Sequence, residues 1–233
     1  MLIFPTLKLS PLQGMAGMAG GVVSRTILGV GGGELEIGDF YEGGYFAGYI
    51  SQNANGTATH GLIVAPAASG YNGKSTLQQK TSNTETSGTS NLYDGAANTA
   101  NSDDSDHPAA SYCAGLTINS YSDWYLPAEY ELQIAYYNLK PTTASNTTSD
   151  GNNPYAVPAR SGNFTTGDPA QTSVAAFQSG GAQAFVADKH WASSQTPIYG
   201  YRIDFTDGSQ QGQNSTFNKT NSYYVRAFRK FSV

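Results

Sequence analysis

Apolar and aromatic residues gather in short runs along this chain, and the runs predict strands set between long polar stretches. Leu35-Glu36-Ile37-Gly38-Asp39-Phe40 and Tyr45-Phe46-Ala47-Gly48-Tyr49-Ile50 flank Tyr41-Glu42-Gly43-Gly44, the pattern of a glycine-turned hairpin. A third strand is expected over 61–65 and is stopped by Pro66. Strand signals return at 184–186, at 189–194 and in the alternating run 198–205, which turns at Thr206-Asp207-Gly208. A closing strand over 223–229 would put Arg226 and Phe228 on the face opposite Val225 and Ala227. Helical spacing is found twice. A short helix is expected over 109–116, and a firmer one after Pro127, where Ala128, Leu132, Ala135, Tyr136 and Leu139 share a face. Pro127 suits a first helical turn, Glu129 and Glu131 suit the positive N-terminal end, and Pro141 bars continuation past Lys140.

Between these runs lie segments with few apolar anchors. Residues 67–107 are dominated by Ser, Thr, Asn, Gly and Gln and read as a long surface excursion. So long a polar connector in a compact domain is functional, disordered or ordered by a neighbouring subunit. A second excursion, 142–173, carries Asp150-Gly151-Asn152-Asn153-Pro154 and Ser161-Gly162-Asn163. Residues 1–34 are too glycine-rich to pack a core and read as an anchoring arm or linker ahead of one domain over 35–233. No Lys-Ser/Thr pair follows those glycines, so they do not read as a phosphate cradle.

Composition narrows the chemistry. Charged residues are 12% of the 233, against 27 Gly and 16 Tyr, which favours a fold mainly of strand and loop. Such a surface recognises partners by hydrogen bonds and aromatic faces. A net charge of -5 argues against nucleic acid, whose binders need clustered Lys and Arg. No run approaches the roughly 20 apolar residues of a membrane span, and the first residues, broken by Pro5 and Pro11, do not read as a signal peptide. The single cysteine, Cys113, allows no intrachain disulfide and reads as a buried small hydrophobe. His60, His107 and His190 stand in separate segments and are expected to be exposed or singly hydrogen-bonded, not zinc ligands. Asp103-Asp104-Ser105-Asp106-His107 is the densest acidic cluster. It lacks the glycine turn and final glutamate of an EF-hand, so calcium is the lesser reading there against a solvated loop, and no cofactor is expected. No serine lies in a nucleophile-elbow context, and no enzymatic activity is expected.

Three blocks occur in order: 122–132, which includes Trp124-Tyr125-Leu126-Pro127; then Trp191-Ala192-Ser193-Ser194; then Phe205-Thr206-Asp207-Gly208 through Lys219 to Val225-Arg226-Ala227-Phe228-Arg229. The set resembles the domain family that closes the collagen-like adhesin of Legionella and recurs in phage structural proteins. That family is related in fold to C-type lectins and formylglycine-generating enzymes. Many members read Trp-Arg-Leu-Pro where this chain has Tyr125. The resemblance implies an α+β, C-type lectin-like fold with two short helices, a small twisted antiparallel sheet and long loops at one end. It implies a core built on Trp124, Leu126, Pro127, Leu132, Trp191 and Arg226. Arg226 and Arg229 are expected to divide, one paired inside with a carboxylate such as Glu131 and the other exposed.

The implied role is a phage virion structural protein, a tail-fibre tip or a capsid fibre or decoration subunit. Its arm would hold other virion proteins and its loops a host-surface glycan or protein, in a homo-oligomer, with a trimer favoured. Tyr155, Asn163, Phe164 and Asp168 are the candidate ligand-binding residues because they lie in the excursion that the family resemblance puts at the exposed end, and Tyr and Asn are types that adaptable recognition loops favour. The alternatives are a bacterial surface or secreted adhesin module and an enzyme of the formylglycine-generating type. The latter works through a cysteine pair with a metal, and Cys113 has no second cysteine.

Overall fold

A computed structural model describes residues 34–211 and 218–233, so the arm expected over 1–34 lies outside the described residues except for Glu34. The architecture is α+β, with four α-helices and two five-stranded sheets among the described residues. In the first sheet β1 (Phe40–Tyr41), β2 (Gly44–Ile50), β3 (His60–Val64) and β10 (Phe228–Ser232) lie in that order, and β5 (Ala156–Val157) also pairs with β2. The second runs β4 (Thr76–Gln78), β9 (Ser222–Tyr224), β6 (Lys189–Gln195), β7 (Gly200–Asp204), β8 (Gln210–Gln211). Pairing is antiparallel except between β6 and β9. The helices are α1 (Ala67–Gly70), α2 (Gly95–Ala100), α3 (Pro108–Ala114) and α4 (Glu129–Leu139). The hairpin turn sits where glycine predicts it: Glu42 and Gly43 have φ of 45° and 90°, the left-handed pair that matches strand twist.

The first sheet separates two cores because its residues alternate. Leu62 and Val64 of β3 face one cluster with Leu132, Ala135, Tyr136 and Leu139 of α4. Ile63 and Ala65 face the other, with Ala109, Ala110 and Cys113 of α3 and both tryptophans. Close contact between α4 and β2 requires Gly48, where φ is +131° and an added Cβ would meet Asn138 at 2.6 Å and Ile134 at 3.0 Å. The Asn138 amide uses that approach to donate to Ala47 O at 2.7 Å. α4 is buried on more than its apolar face, since Glu129, Glu131 and Gln133 are also buried.

The Trp-Tyr-Leu-Pro run ties the halves together. Trp124 Nε1 donates to Tyr121 O at 3.0 Å, and the Tyr125 backbone exchanges hydrogen bonds of 2.8 and 2.9 Å with Phe228 of β10. Leu126 N donates to Thr99 Oγ1 at 3.1 Å and Pro127 O accepts from Ser193 N at 2.7 Å. Glu131, fully buried, then accepts from Ala128 N at 2.8 Å, Tyr125 OH at 3.0 Å and Gly95 N at 3.1 Å. Burial pushes its carboxyl up to about 7, while the nearby Lys230 and these donors act in the other direction.

Neither arginine meets Glu131, and neither is exposed, contrary to expectation. Arg226 donates to Ala65 O at 2.9 Å and Gln183 O at 2.7 Å and lies over the rings of Phe185, Tyr71 and Phe177. Arg229 grips Asp123 through two bonds of 2.8 and 3.0 Å and Glu42 at 2.7 Å. The closing run is not one strand either. Residues 225–227 leave the ladder between β9 and β10, with Val225 and Ala227 in the tryptophan core and Phe228 in the α4 core. Residues 184–186 form no strand, although Ala184 and Phe185 are buried.

The polar stretch 67–107 is more than a surface excursion, although many of its residues are exposed. It contains α1, β4 and α2, and it buries Tyr71, Gln79, Lys80, Thr89, Asn98 and His107. Gln79 Nε2 donates to Ala192 O at 2.6 Å and Ser194 O at 3.1 Å; Asn98 Nδ2 donates to Asn91 O at 2.6 Å and Ser193 Oγ at 3.1 Å. In 142–173, Asn146 spends both ends of its amide: Oδ1 accepts from Tyr136 OH and Lys140 Nζ, each at 2.6 Å, and Nδ2 donates to Thr165 O and Pro169 O. Apolar content failed as a guide because paired polar groups tolerate burial.

Candidate functional site

Folding the two polar stretches onto the body brings three tyrosines together. Tyr93 comes from the turn before α2, Tyr130 from the first turn of α4, and Tyr155 from the residue before β5. Tyr155 stacks on both partners, with ring centroids 4.3 Å from Tyr93 at 10° and 5.3 Å from Tyr130 at 23°. With Gly88, Ser90, Asn91 and Leu92 they line an open cleft of about 410 Å³, a size typical of small-ligand sites.

Each ring is set by hydrogen bonds to its backbone. Asn91 Oδ1 accepts from Tyr93 N at 2.8 Å and Asp94 N at 2.9 Å, an Asx turn. Leu92 O accepts from Tyr130 N at 2.8 Å. Buried Asn153 joins the other two, donating to Tyr130 O at 3.0 Å and accepting from Tyr155 N at 3.1 Å. The phenol oxygens of Tyr93, Tyr130 and Tyr155 have no hydrogen-bond partner among the described residues. The floor behind is also pinned: Ser194 Oγ donates to Asn91 O at 2.8 Å and accepts from Glu129 N at 3.0 Å. Glu129 is itself buried, and burial, with Asp150 nearby, pushes its carboxyl up to about 8.

Of the four candidate ligand residues, Tyr155 lies in this cleft and the others do not. Phe164 is buried at 4% exposure against Tyr136 and Tyr137, which corrects its expected place on an exposed loop. Asp168 is exposed and accepts from Tyr137 OH at 3.2 Å, two turns along α4 from Tyr130. Asn163 is exposed and donates to Thr148 O at 3.0 Å. Tyr93, Tyr130, Asn91 and Asn153 were missed. Asn91-Leu92-Tyr93-Asp94 carries a readable Asx-turn signal, whereas the convergence of Tyr130 and Tyr155 depends on long-range folding.

Trp124, Leu126, Pro127, Leu132, Trp191 and Arg226 are all buried, and the two tryptophans share one cluster. His107 and His190 each make two contacts, not one. His107 pairs with Asp104 Oδ1 at 2.7 Å and Thr86 Oγ1 at 2.8 Å. His190 meets Asp188 O at 2.9 Å and the Tyr71 hydroxyl, and burial pushes it down to about 3. Asp104 bonds the nearby His107, and Asp106 accepts from Thr81 Oγ1 across 25 residues. No group of three or more His, Cys, Asp or Glu residues gathers as a metal set among the described residues. No helix among them is long and apolar enough to cross a membrane.

No protein-family profile matches this chain, and comparisons with curated proteins and with solved structures likewise return no match.

Proposed function

We propose that this chain is a bacteriophage virion protein, a tail-fibre tip or a capsid-bound fibre or decoration subunit, whose C-type lectin-like body attaches to carbohydrate on a host surface. The tyrosine-lined cleft carries the reading. Stacked rings give sugar rings an apolar face to lie on, and free phenols give their hydroxyls partners, at small entropic cost because the rings are already held. The lectin-like part is supported by the way the motif 122–132 joins the last strand to the helix that follows, and by the pairing of the last strand with early β3.

Two measurements test it. Mass spectrometry of purified particles should find the chain as a stoichiometric component; its absence, with recovery on bacterial envelopes instead, would favour an adhesin module. Purified protein should bind host cells and lose that binding after periodate oxidation of surface sugars. Binding indifferent to periodate would contradict carbohydrate attachment.

A further inference from the structure

The side chains lining the cleft are uncharged, in contrast to the ionic groups just outside it. Asp94, next to Tyr93, is held by Lys230 at 2.7 Å and by the Ala97 amide at 3.1 Å, so neither ion of that pair is free to receive a ligand charge. Glu129, next to Tyr130, is 8% exposed and stands beside Asp150. An acidic sugar or a phosphorylated one would have to shed water without the arginine or lysine that normally offsets that cost. It would also approach the Asp94 carboxylate, which is of its own sign. A cation bridging protein and sugar is unsupported for the same reason, since the lining offers no carboxylate to hold one.

What the lining does offer matches neutral hydroxyl and acetamido groups. The three phenols are both donors and acceptors. Ser90 Oγ has no partner among the described residues, and Asn91, whose Oδ1 serves two backbone amides, keeps its Nδ2 without one. Resting on the carbohydrate reading above, we propose that the ligand is an uncharged sugar, a hexose or N-acetylhexosamine at the end of a glycan, bound by the Tyr93–Tyr130–Tyr155 cleft without a metal ion.

The test is an array of immobilised glycans probed with the full chain, with and without EDTA, alongside Tyr155→Ala and Tyr155→Phe. Retention on neutral hexose- or N-acetylhexosamine-terminated glycans is expected, unchanged by EDTA. Tyr155→Ala should weaken it roughly tenfold or more, as loss of a central aromatic contact does. Tyr155→Phe, which keeps the ring and the stack, should lose less. Retention confined to sialylated, uronate or phosphorylated glycans, or abolished by EDTA, overturns the neutral, metal-free class; if it still depends on Tyr155, attachment through this cleft survives. Retention of no glycan, or retention untouched by Tyr155→Ala, overturns the cleft reading itself and this inference with it.

Discussion

The segments 67–107 and 142–173 are alike in composition and both enter the interior through a lysine ammonium surrounded by oxygens, but they differ in what that ammonium meets. Lys140 Nζ donates to Ala144 O at 2.5 Å, Asn146 Oδ1 at 2.6 Å and Pro169 O at 3.2 Å, a complete set for one ammonium. In the first segment two ammonium groups converge on one carbonyl. Thr84 O accepts from Lys80 at 3.2 Å and from Lys219 at 2.9 Å. Burial, and then the neighbouring Lys80, pull Lys219 down to about 8. The second segment has its like-charge contact elsewhere, between Glu129 of α4 and Asp150. Polar chain is thus brought inside by matched donors and acceptors in both places, and each region keeps one contact that pH can tune, with opposite signs.

The largest expected effect comes from breaking the complete set. Lys140→Met should cost about 3 kcal/mol, because it removes three charge-assisted bonds and leaves Asn146 Oδ1 to Tyr136 OH and Pro169 O to the Asn146 amide. Urea unfolding would read it, and a loss below about 1 kcal/mol would mean that water replaces the ammonium without difficulty.

Glu129→Gln should come next, and only above mildly acidic pH. The Glu129 carboxyl is raised from 4.5 to about 8, so the folded state holds a proton that the unfolded chain releases. Its contribution is therefore intact below about pH 4.5 and declines as pH rises to about 8. The variant should match the parent at pH 4.5 and exceed it increasingly as the pH rises to 8. Thermal unfolding at the two pH values checks the sign, and equal differences at both would contradict it.

Lys219→Met should have the smallest effect, about 1 kcal/mol at neutral pH, since it removes bonds to Thr84 and Pro197 but also frees Lys80 from a like charge. Lys219 is lowered from 10.5 to about 8, so the unfolded state binds the extra proton between those values and stability should rise with pH across that window. The rise should vanish in Lys219→Met. Combined with Lys80→Met, the loss should exceed the sum of the two single losses, because the like-charge relief is gained only once and Thr84 O loses both donors.

The sequence was readable wherever periodicity governs. The β1–β2 hairpin, β3, β6, β7 and α4 follow from alternation, glycine turns and i, i+4 spacing, and burial of Trp124, Trp191 and Cys113 follows from residue type. It was unreadable where the interior is polar. Gln79, Asn98, Asn146 and Asn153 look like loop residues and are core residues, since each is bonded to a partner on another segment, for Gln79 and Asn98 one far away in the chain. Arg229 shows the same limit, as its partners Asp123 and Glu42 lie 106 and 187 positions distant. Tyr155 and Phe164 are candidates on the same ground, their place in the excursion 142–173. One ring stacks in the cleft and the other fills the space between α4 and its neighbouring segment, a difference decided by packing alone.

The central claim is that polar chain folded into the body holds the tyrosine cleft in place before any ligand arrives. Hydrogen exchange of the free protein tests this most directly. Amides of Tyr93, Asp94, Tyr130, Tyr155 and Ala156, each bonded within the protein, should exchange within about an order of magnitude of the β2–β3 ladder. Exchange of 88–94 and 153–156 in seconds, with β2 and β3 still protected, would contradict it.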